Sequence, residues 1–322
     1  MLLSIIIPCW NVESFIGKFL DLLVTQNLDD MEILAVNDAS LDNTETIIKE
    51  YSRKYSNIKV LSLEKNCGPS AARNTGLKNA KGKFVYFPDA DDYLYPETIE
   101  YFRRILIKYS DIDAFVFGYD AYIDGKFFKK YVKKGVSEKL FAGEDFCTHW
   151  LSKIFDCNVY NVIYNVAQLN KYNCSYSEDI RINEDIVFLL NVLPQIQNVL
   201  YDDRICYSYK IRTEGSLTST FRKNYERKHL DGFLKDKEYA NKIISKKTNL
   251  ERYVNFFIAR LYVIHLQHYL LSKGEKKNFI RNVFIENKKL LCQKMKGKIY
   301  LLCIIKIVRF VSVKLLLKIF KK

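Results

Sequence analysis

The sequence predicts an α/β protein built on an open, mostly parallel β-sheet with helices on both faces. Short segments made almost entirely of apolar residues recur through the first 120 residues, and amphipathic segments with a helical period separate them. Strands that are apolar on both faces are typical of parallel sheets, because helices cover both faces of such a sheet. In addition, polar clusters follow these segments, at 8–13, 37–42, 66–73 and 89–92. Ligands bind at the carboxyl ends of strands in open sheets, so these clusters predict a single ligand site.

Five segments are predicted as the strands of this sheet. Each has five or six residues, is mostly apolar, and is followed by polar or turn-forming residues. In chain order they are Leu3–Ile7, Glu32–Val36, Lys59–Leu63, Lys83–Phe87 and Asp113–Gly118.

Helices are predicted between these strands and in the second half of the chain. Residues 13–27 place their apolar side chains on or near one face, and Pro96 begins a helix because proline fits the first helical turn. The pattern between 131 and 209 is less regular. The further predicted helices are 40–55, 70–80, 144–154, 184–193 and a mostly helical stretch over 224–284.

The composition is that of a folded protein with a basic tail. Of the 322 residues, 48% are hydrophobic and 27% are charged, which excludes a disordered or disulfide-stapled chain. The net charge is +14, and the segment from Lys288 to Lys322 contains eleven Lys and Arg residues and no Asp or Glu. The rest of the chain is therefore close to neutral, which argues against a nucleic-acid-binding body.

The cysteines and histidines predict neither a disulfide framework nor a zinc site. The eight cysteines form no Cys-x-x-Cys pair and stand mostly among apolar neighbours, which is typical of reduced, buried thiols in a cytosolic protein. No histidine stands at a metal-ligand spacing from a cysteine. The apolar run from Leu2 to Ile7 ends at Pro8 and is too short for a signal peptide.

An acidic stretch, Asp89-Ala-Asp91-Asp92, follows the fourth predicted strand. Three carboxylates at the end of a buried strand repel one another unless a cation or hydrogen-bond donors offset their charge. A hard divalent ion, held by one or two carboxylates and a substrate diphosphate, would do so. The alternative is that Asp92 caps the helix that Pro96 opens, while the other two carboxylates are solvated.

Four motifs that follow one another over the first 92 residues resemble family 2 glycosyltransferases. Each motif alone is a weak signal, and their order carries the resemblance. They are Pro8-Cys-Trp-Asn11-Val-Glu13, Val36-Asn-Asp38-Ala-Ser40-Leu-Asp42-Asn-Thr44, Asn66-Cys-Gly68-Pro-Ser-Ala-Ala72-Arg73-Asn74-Thr-Gly76 and Phe87-Pro-Asp89-Ala-Asp91-Asp92.

The resemblance implies a GT-A fold, a Rossmann-like and mostly parallel sheet flanked by helices. It also implies a nucleotide-sugar donor, inversion at the anomeric carbon, and Mn²⁺ or Mg²⁺ held by Asp91 and Asp89. In the family, the residue that matches Asp38 contacts the base, and the residue that matches Arg73 lies near the nucleotide. From the residues alone, Asp38 is also a plausible turn former and Arg73 an exposed helix arginine. The residues that the resemblance places at the donor are Pro8, Asn11, Glu13, Asp38, Asn66, Arg73, Asp89 and Arg212.

A second acidic pair, Glu184 and Asp185, is expected to supply the general base. A sugar hydroxyl is a poor nucleophile until a carboxylate takes its proton. The stretch Asn183-Glu-Asp-Ile-Val-Phe188 resembles the family's (G/N)-E-D-x-x-F, which implies that Asp185 is the base and Glu184 a helper or acceptor contact. The alternatives are a pair that only favours the helix dipole, or a base at Glu178 or Asp179.

Further along, Tyr207-Ser-Tyr-Lys-Ile-Arg212-Thr-Glu-Gly-Ser216 resembles a later family motif. That motif implies that Arg212 and Ser216 face the donor diphosphate, since arginine pairs with phosphate oxygens in a fork. The Q-x-x-R-W stretch of processive members is absent, so we expect the transfer of one sugar.

The chain departs from the family pattern in the second motif. Asn37 and Ala39 replace the commoner Asp and Gly. Ala39 makes a left-handed turn harder at this point. Asp42 is interpreted as a helix N-cap.

These observations predict a division of the chain. Residues 1–220 form the GT-A domain, with a nucleotide-sugar half at about 1–120 and an acceptor half at about 121–220. Residues 221–297 form a helical extension. Residues 298–322 alternate apolar pairs with cations, which favours a basic amphipathic helix lying on anionic lipid over a spanning helix. The alternative is a helix packed on the body.

The sequence therefore predicts a bacterial, inverting, metal-dependent glycosyltransferase, cytoplasmic and peripheral on the inner face of the plasma membrane. It would move one sugar, most simply from UDP-galactose, UDP-glucose or UDP-N-acetylglucosamine, to a lipid-linked oligosaccharide. The pathway would be capsule, exopolysaccharide or lipooligosaccharide synthesis. The alternative is a catalytically inactive, membrane-associated protein that binds nucleotide-sugars.

Overall fold

The computed structural model describes residues 1–180, 183–212, 227–246, 248–251, 253–254 and 257. The chain divides into two units, Met1–Thr213 and Glu214–Lys322. The first unit contains a single sheet, whose strands are β1 (Leu3–Cys9), β2 (Met31–Asn37), β3 (Ile58–Ser62), β4 (Phe84–Tyr86), β5 (Tyr93–Leu94), β6 (Ala114–Ile123), β7 (Lys126–Tyr131), β8 (Lys139–Ala142), β9 (Val162–Asn165) and β10 (Asn198–Ile211).

The helices of the first unit lie between these strands. They are α1 (Glu13–Val24), α2 (Thr44–Lys54), α3 (Pro69–Asn79), α4 (Thr98–Lys108), α5 (Gly143–Leu151), α6 (Val166–Lys171) and α7 (Glu184–Val192).

The strand order is β3-β2-β1-β4-β9-β6-β10-β5, with β7 paired to β6 and β8 paired to β10. The ladders β1–β2, β2–β3, β1–β4 and β6–β10 are parallel, whereas β9 runs antiparallel to both of its neighbours, β4 and β6. The mixed, mostly parallel sheet and the helices between its strands confirm the predicted fold class.

The apolar strands form the core, as their composition predicts. Every residue of β2 is buried, and on β1 only Pro8 is partly exposed. The helix α3 packs closely on β1, since a Cβ atom on Gly76 would lie 2.2 Å from Cγ2 of Ile6. This contact explains why the third motif ends in glycine. The five predicted strands appear within two residues of their predicted bounds, except that β6 continues to Ile123.

Two predicted helix starts are wrong. The second helix begins at Thr44 and not at Ser40. Asp42 caps it as predicted, since its Oδ1 accepts a hydrogen bond from Thr44 N at 3.0 Å, whereas the Asn43 side chain makes no capping bond. The fourth begins at Thr98, two residues after Pro96, with Glu97 as its N-cap at a φ of 64°.

In the second half, a strap of residues 132–138 links β7 to β8. The strap is tied to β10 where that strand bulges: the Asp202 carboxylate accepts hydrogen bonds from Ser137 Oγ at 2.8 Å and Glu138 N at 2.9 Å, and Asp203 accepts one from Gly135 N at 2.7 Å. Val132 lies over Gly118, where a Cβ atom would meet it at 2.4 Å.

The described part of the second unit is helical, with α8 at Arg227–Lys246 and a short 3₁₀ turn at Thr248–Leu250. The remainder of the predicted helical stretch and the predicted lipid-binding tail lie outside the described residues, as does Ser216. In the portion of the chain that the structure describes, no helix has both the length and the apolar character needed to cross a membrane.

Candidate active site

The centre of the site is the guanidinium group of Arg73, which lies at the carboxyl edge of the sheet. From α3 it reaches Asp89, where its Nη2 donates to Oδ1 at 2.8 Å, and Glu184, where its Nη1 donates to Oε1 at 3.1 Å. Its flat face lies over the ring of Tyr176, with Cζ 5.3 Å from the ring centroid. Only 4% of Arg73 is exposed. One buried cation therefore joins the D-x-D stretch to the acidic pair of α7, and Arg73 is not the exposed helix arginine of the alternative.

The protonated state of Arg73 is secured by its neighbours. Burial alone would lower the pKa of the guanidinium, but the carboxylates of Asp89 and Glu184 outweigh burial and raise it. The Nε atom is buried and has no hydrogen-bond partner among the described residues. The guanidinium group therefore stays charged between these two carboxylates.

Asp91 lies next to this centre and pairs with Arg212, whose Nη2 donates to its Oδ2. The Arg212 guanidinium also lies over the ring of Phe15, at 4.4 Å from the centroid. Burial raises the pKa of Asp91, and the nearby charge of Asp89 raises it further. The Asp91 carboxylate thus lacks full compensation, although Arg212 is bound to it.

Asp92 has a structural role that differs from the predicted alternative. Its Oδ1 accepts a hydrogen bond from Lys210 N at 2.7 Å, and its Oδ2 accepts one from the Tyr207 hydroxyl. Burial raises its pKa well above the ordinary value, and the charges of Asp91 and Asp89 add to this effect. Asp92 therefore fixes β10 against the acidic stretch that follows β4, and it does not cap α4.

The carboxylates of Asp89 and Asp91 suit a divalent cation. Each side chain is between a quarter and a third exposed. Each carboxylate uses one of its two oxygens in an ion pair, Asp89 with Arg73 and Asp91 with Arg212. Among the described residues, no three His, Cys, Asp or Glu side chains gather to form a complete metal site. Magnesium-type sites use one or two carboxylates and take their other ligands from water and substrate phosphates, so two carboxylates are enough.

Glu184 and Asp185 form the first turn of α7. The chain enters this helix through Asn183, which has a φ of 64°, and the Asp185 carboxylate accepts a hydrogen bond from Ile186 N at 2.7 Å. Burial, together with the neighbouring Asp185 charge, raises the pKa of Glu184 to about 7. Burial also raises the pKa of Asp185. A carboxyl group whose pKa approaches neutrality is a stronger proton acceptor than an exposed one.

The competing acidic residues, Glu178 and Asp179, are exposed. Glu178 Oε1 accepts a hydrogen bond from Asn74 Nδ2 at 2.9 Å, and the same amide group holds the backbone of Tyr176 through bonds of 3.0 and 2.9 Å. Asn74 of the third motif therefore positions the chain that leads to α7.

The first two motifs hold each other through reciprocal hydrogen bonds. The Glu13 carboxylate accepts bonds from N and Nδ2 of Asn43 at 2.9 and 3.0 Å, and Asp42 accepts a bond from Glu13 N at 3.1 Å. Asn11, at a φ of 52°, accepts a bond from Leu41 N at 2.8 Å. Asn11 and Glu13 thus shape the loops at the ends of β1 and β2, and Asp42 ties α1 to α2.

Asp38 is buried and holds the third motif. Its carboxylate accepts hydrogen bonds from Cys67 N and Gly68 N, each at 2.7 Å, and from Asn66 Nδ2 at 3.0 Å. Gly68 has a φ of 91°, which favours glycine, and is the N-cap of α3. The carboxylate thus fixes the entry to the helix that carries Arg73. Pro8 lies beside this loop, paired with Val36 of β2.

Ala39 adopts the left-handed turn that its side chain disfavours, with a φ of 53°. The loop therefore keeps the path that a glycine would take, at a cost of about 1 kcal/mol. Alanine in place of the family's commoner glycine therefore does not prevent this turn.

Sequence reasoning missed two aromatic residues at this edge. Trp10 is 45% exposed and directly follows the carboxyl end of β1. The ring of Tyr176 lies against the Arg73 guanidinium group and stacks on Phe188, with ring centroids 4.0 Å apart. The aromatic position within the first motif was a signal for Trp10. No local pattern marks Tyr176, because its importance depends on an arginine about 100 positions earlier.

Known proteins resemble this chain in sequence and in fold. The family model described as "Glycosyl transferase family 2" matches residues 4–165. The uncharacterized glycosyltransferase EpsJ of Bacillus subtilis is 30% identical over 75% of this chain and 69% of its own length. The poly(ribitol-phosphate) beta-glucosyltransferase of Bacillus spizizenii is 29% identical over 67% of this chain, which spans 33% of that protein.

Among solved structures, S. aureus TarS 1-349 in complex with UDP-GlcNAc superposes with a TM-score of 0.75. The match covers 90% of this chain and 81% of that one at 24% identity, and it supports the fold. The family match and the EpsJ similarity confirm the resemblance seen in the motifs. The chain belongs to glycosyl transferase family 2, a family of enzymes that transfer sugars.

Proposed function

We propose that the protein is an inverting, metal-dependent glycosyltransferase that moves one sugar from a UDP-hexose to a lipid-linked oligosaccharide. The pathway would be the synthesis of a bacterial surface polysaccharide such as capsule, exopolysaccharide or lipooligosaccharide. The observation that carries this proposal is the buried Arg73, which holds Asp89 and Glu184 on one guanidinium group. That contact sets the acidic pair of α7 beside the predicted metal ligands.

The donor nucleotide would lie across the carboxyl ends of β1 and β2. The loops that Pro8, Asn11, Glu13 and Asp38 shape would enclose the base. Trp10 is exposed directly after β1, and the base would stack on its ring. A nucleotide with uracil is supported by the similarity to a protein solved with UDP-GlcNAc. Asn66 would act with Asp38 by keeping the third loop in place.

A divalent ion, Mn²⁺ or Mg²⁺, would be held by Asp91 and Asp89. Bound there, it would neutralise the charge that develops on the leaving diphosphate. Arg212 would contribute from the other side, because its guanidinium group lies at Asp91 and pairs well with phosphate oxygens. Arg73 would act behind the donor by keeping Asp89 and Glu184 in place.

Asp185 would act as the general base. It would take the proton of the acceptor hydroxyl while that oxygen attacks the anomeric carbon from the face opposite to the diphosphate. The bond between the sugar and the diphosphate breaks, the electron pair leaves with UDP, and the configuration inverts. Glu184 would hold the acceptor or tune Asp185, since the two carboxyl groups interact and Glu184 is bound to Arg73.

The cellular setting follows from the proposed acceptor. A lipid-linked acceptor is presented at the cytoplasmic face of the inner membrane, so the enzyme would be peripheral there. The basic segment 298–322, which lies outside the described residues, would lie on anionic lipid.

The first experiment is thermal stabilisation by UDP-, GDP-, CMP- and dTDP-sugars, each with and without Mn²⁺. We expect a metal-dependent rise in Tm with a UDP-sugar, and its loss in Asp91→Ala. A shift with another nucleotide, or one that is independent of both metal and Asp91, would contradict the proposal. Donor binding without transfer to any lipid-linked acceptor would favour the inactive nucleotide-sugar-binding protein.

A further inference from the structure

An exposed basic strand begins at the rim of the active site. The strand β7 and the strap after it carry five lysines that we call the β7 track: Lys126, Lys129, Lys130, Lys133 and Lys134. All five are exposed, and none forms an ion pair within 4 Å with any described residue. The nearest carboxylate along the strap, Glu138, is already bound to Lys108 and Arg104. Lys129 also acts electrostatically on Asp156, a carboxylate that is itself paired with Lys153. The track is therefore only partly compensated, and no described carboxylate pairs directly with its lysines.

The track also exposes large aromatic side chains. Phe127 is 56% exposed and packs edge-on against Tyr122, and Phe128 is 53% exposed at the point where β7 bulges against β6. Lysine on an open edge strand is a common device against aggregation. Two adjacent exposed phenylalanines on the same open edge would themselves favour aggregation. Protection against aggregation therefore does not explain why this strand combines lysines with exposed aromatic rings.

The position of the track connects it to the chemistry. At the turn between β6 and β7, Asp124 N donates to Ile211 O at 3.0 Å, and the next residue is Arg212, which is bound to Asp91. Since β7 is antiparallel to β6, it runs from the carboxyl edge of the sheet, where the active site lies, along the side of the molecule. Six strand residues at 3.3 Å each give a surface of about 20 Å.

We propose that the β7 track binds the acceptor and that this acceptor is a chain that carries phosphate groups. The inference rests on the proposed transferase function and specifies its substrate class. Lysine ammonium groups are compact charges with three donors that suit the phosphates of a flexible chain. The aromatic rings between them offer apolar contact to the sugar or polyol units. A chain held along the strand would present its end to Asp185.

The test compares two triple variants of the full chain. K126A/K129A/K130A removes three charges of the track, and K18A/K78A/K171A removes three exposed lysines from helices elsewhere as a matched control. The probe is soluble poly(ribitol phosphate), free of lipid, and uncharged dextran serves as the comparison polymer. Binding is measured at low and high salt, and donor binding is followed by the UDP-dependent rise in Tm.

We expect the track variant to bind the polymer about tenfold more weakly at low salt, with a shallower salt dependence, while the control variant binds as the wild type does. The donor-induced rise in Tm stays unchanged in both variants. F127A/F128A is expected to weaken polymer binding about threefold and to leave the salt dependence unchanged.

Equal binding of the polymer by the track variant and the wild type, or binding of dextran as tight as that of the phosphate polymer, would overturn the proposal. So would a track variant that keeps polymer binding but loses co-sedimentation with phosphatidylglycerol–phosphatidylcholine vesicles, since the strand would then serve a membrane. Loss of the UDP response in the wild type with polymer binding retained would instead contradict the proposed function.

Discussion

Buried acidic side chains at the two ends of the parallel strands have pKa values that are shifted in opposite directions. At the carboxyl ends, burial raises the pKa values of Asp91, Glu184 and Asp185. At the amino ends, Glu32 is 99% buried, yet its pKa is lowered. Burial penalises the charged form at both ends, so the difference lies in the hydrogen bonds and in the neighbouring charges. Lys59 lowers the pKa of Glu32, whereas nearby carboxylates raise those of Asp91 and Glu184.

Glu32 receives a full set of donors. Its Oε1 accepts bonds from Ser4 Oγ at 2.8 Å and Lys81 N at 2.6 Å, and its Oε2 accepts Lys59 Nζ at 2.7 Å. Ser4 in turn accepts a bond from Gly82 N at 2.8 Å. These bonds join β1, β2, β3 and the start of β4 at one point, so the charge contributes to stability.

The acidic groups at the carboxyl ends share fewer donors. Arg73 divides its guanidinium group between two carboxylates, and Asp185 accepts a bond from Ile186 N within its own helix. The comparison teaches that one edge of the sheet is completed for stability. At the other edge, the acidic groups around Arg73 receive fewer hydrogen bonds, and under the proposed function a metal ion and the substrates would complete them.

The largest expected effect is on catalysis at the carboxyl edge. Asp185→Asn should lower kcat about 10³-fold, because the acceptor hydroxyl loses its proton acceptor, while the UDP-dependent rise in Tm is retained. Steady-state transfer assays check this. Asp179→Asn, at an exposed acid six positions earlier, is the matched control and should transfer normally. If the two variants behaved in the reverse way, the base assignment would be wrong.

The next effect is on stability at the amino edge. Glu32→Gln should lower the free energy of unfolding by about 2 kcal/mol, because it removes the charged partner of buried donors, and it should leave transfer unchanged. Denaturant unfolding measures this. Glu45→Gln, which breaks an exposed pair with Lys49, should cost less than about 0.5 kcal/mol.

The pH dependence of the Glu32 effect follows from its lowered pKa. The stabilisation is present above the ordinary pKa of a glutamate, about 4.3, and is lost as the pH falls through the lower pKa of the folded state. The difference between wild type and Glu32→Gln should therefore be largest near neutral pH and shrink in acid. A constant difference would refute the assignment.

Glu184 should show the opposite sign. Its pKa is raised to about 7, so between pH 4.3 and 7 the folded state binds more protons than the unfolded state and stability falls as the pH rises. Glu184→Gln cannot lose this proton. Its Tm relative to wild type should therefore increase from pH 5 to pH 8, as calorimetry at both values will test. No change in that difference would show that the folded carboxyl group titrates normally.

The smallest effect is local to the second motif. Ala39→Gly should raise the free energy of unfolding by about 0.5–1 kcal/mol, because glycine adopts a φ of 53° without the Cβ penalty. Ala71→Gly, inside α3, is the control and should destabilise by about 1 kcal/mol. If both substitutions destabilised the protein, the strain of Ala39 in the left-handed turn would be smaller than the entropy that glycine adds to the unfolded chain.

Much of the first half could be predicted from the sequence, because its strands are apolar on both faces and its helices have a clear period. The later strands could not. Five of the six residues of β7 are exposed, and the strand has no apolar face. β10 contains Asp202, Asp203 and Arg204 at a bulge that breaks the alternation. β9 has four residues, fewer than a pattern needs to stand out.

The sequence predicted which residues belong to the site, but it did not predict which of them contact one another. Motif order identified Arg73, Asp89 and Glu184, but the hydrogen bond between Arg73 and Glu184 spans 111 positions, and no local signal encodes it. Asp38 was predicted at the base, whereas its observed bonds go to the loop of the third motif, and its contact with a base stays a prediction.

The short strand β9 limits how such enzymes can be recombined. Residues 162–165 come late in the chain, yet they fill the gap between β4 and β6 and pair with both. A chimera joined near residue 120 would take β9 from one parent and its neighbours β4 and β6 from the other. A fragment of the first half alone would expose the edge of β4. Exchange of acceptor specificity between relatives should therefore graft loops onto an intact sheet and leave 162–165 with the strands that this segment joins.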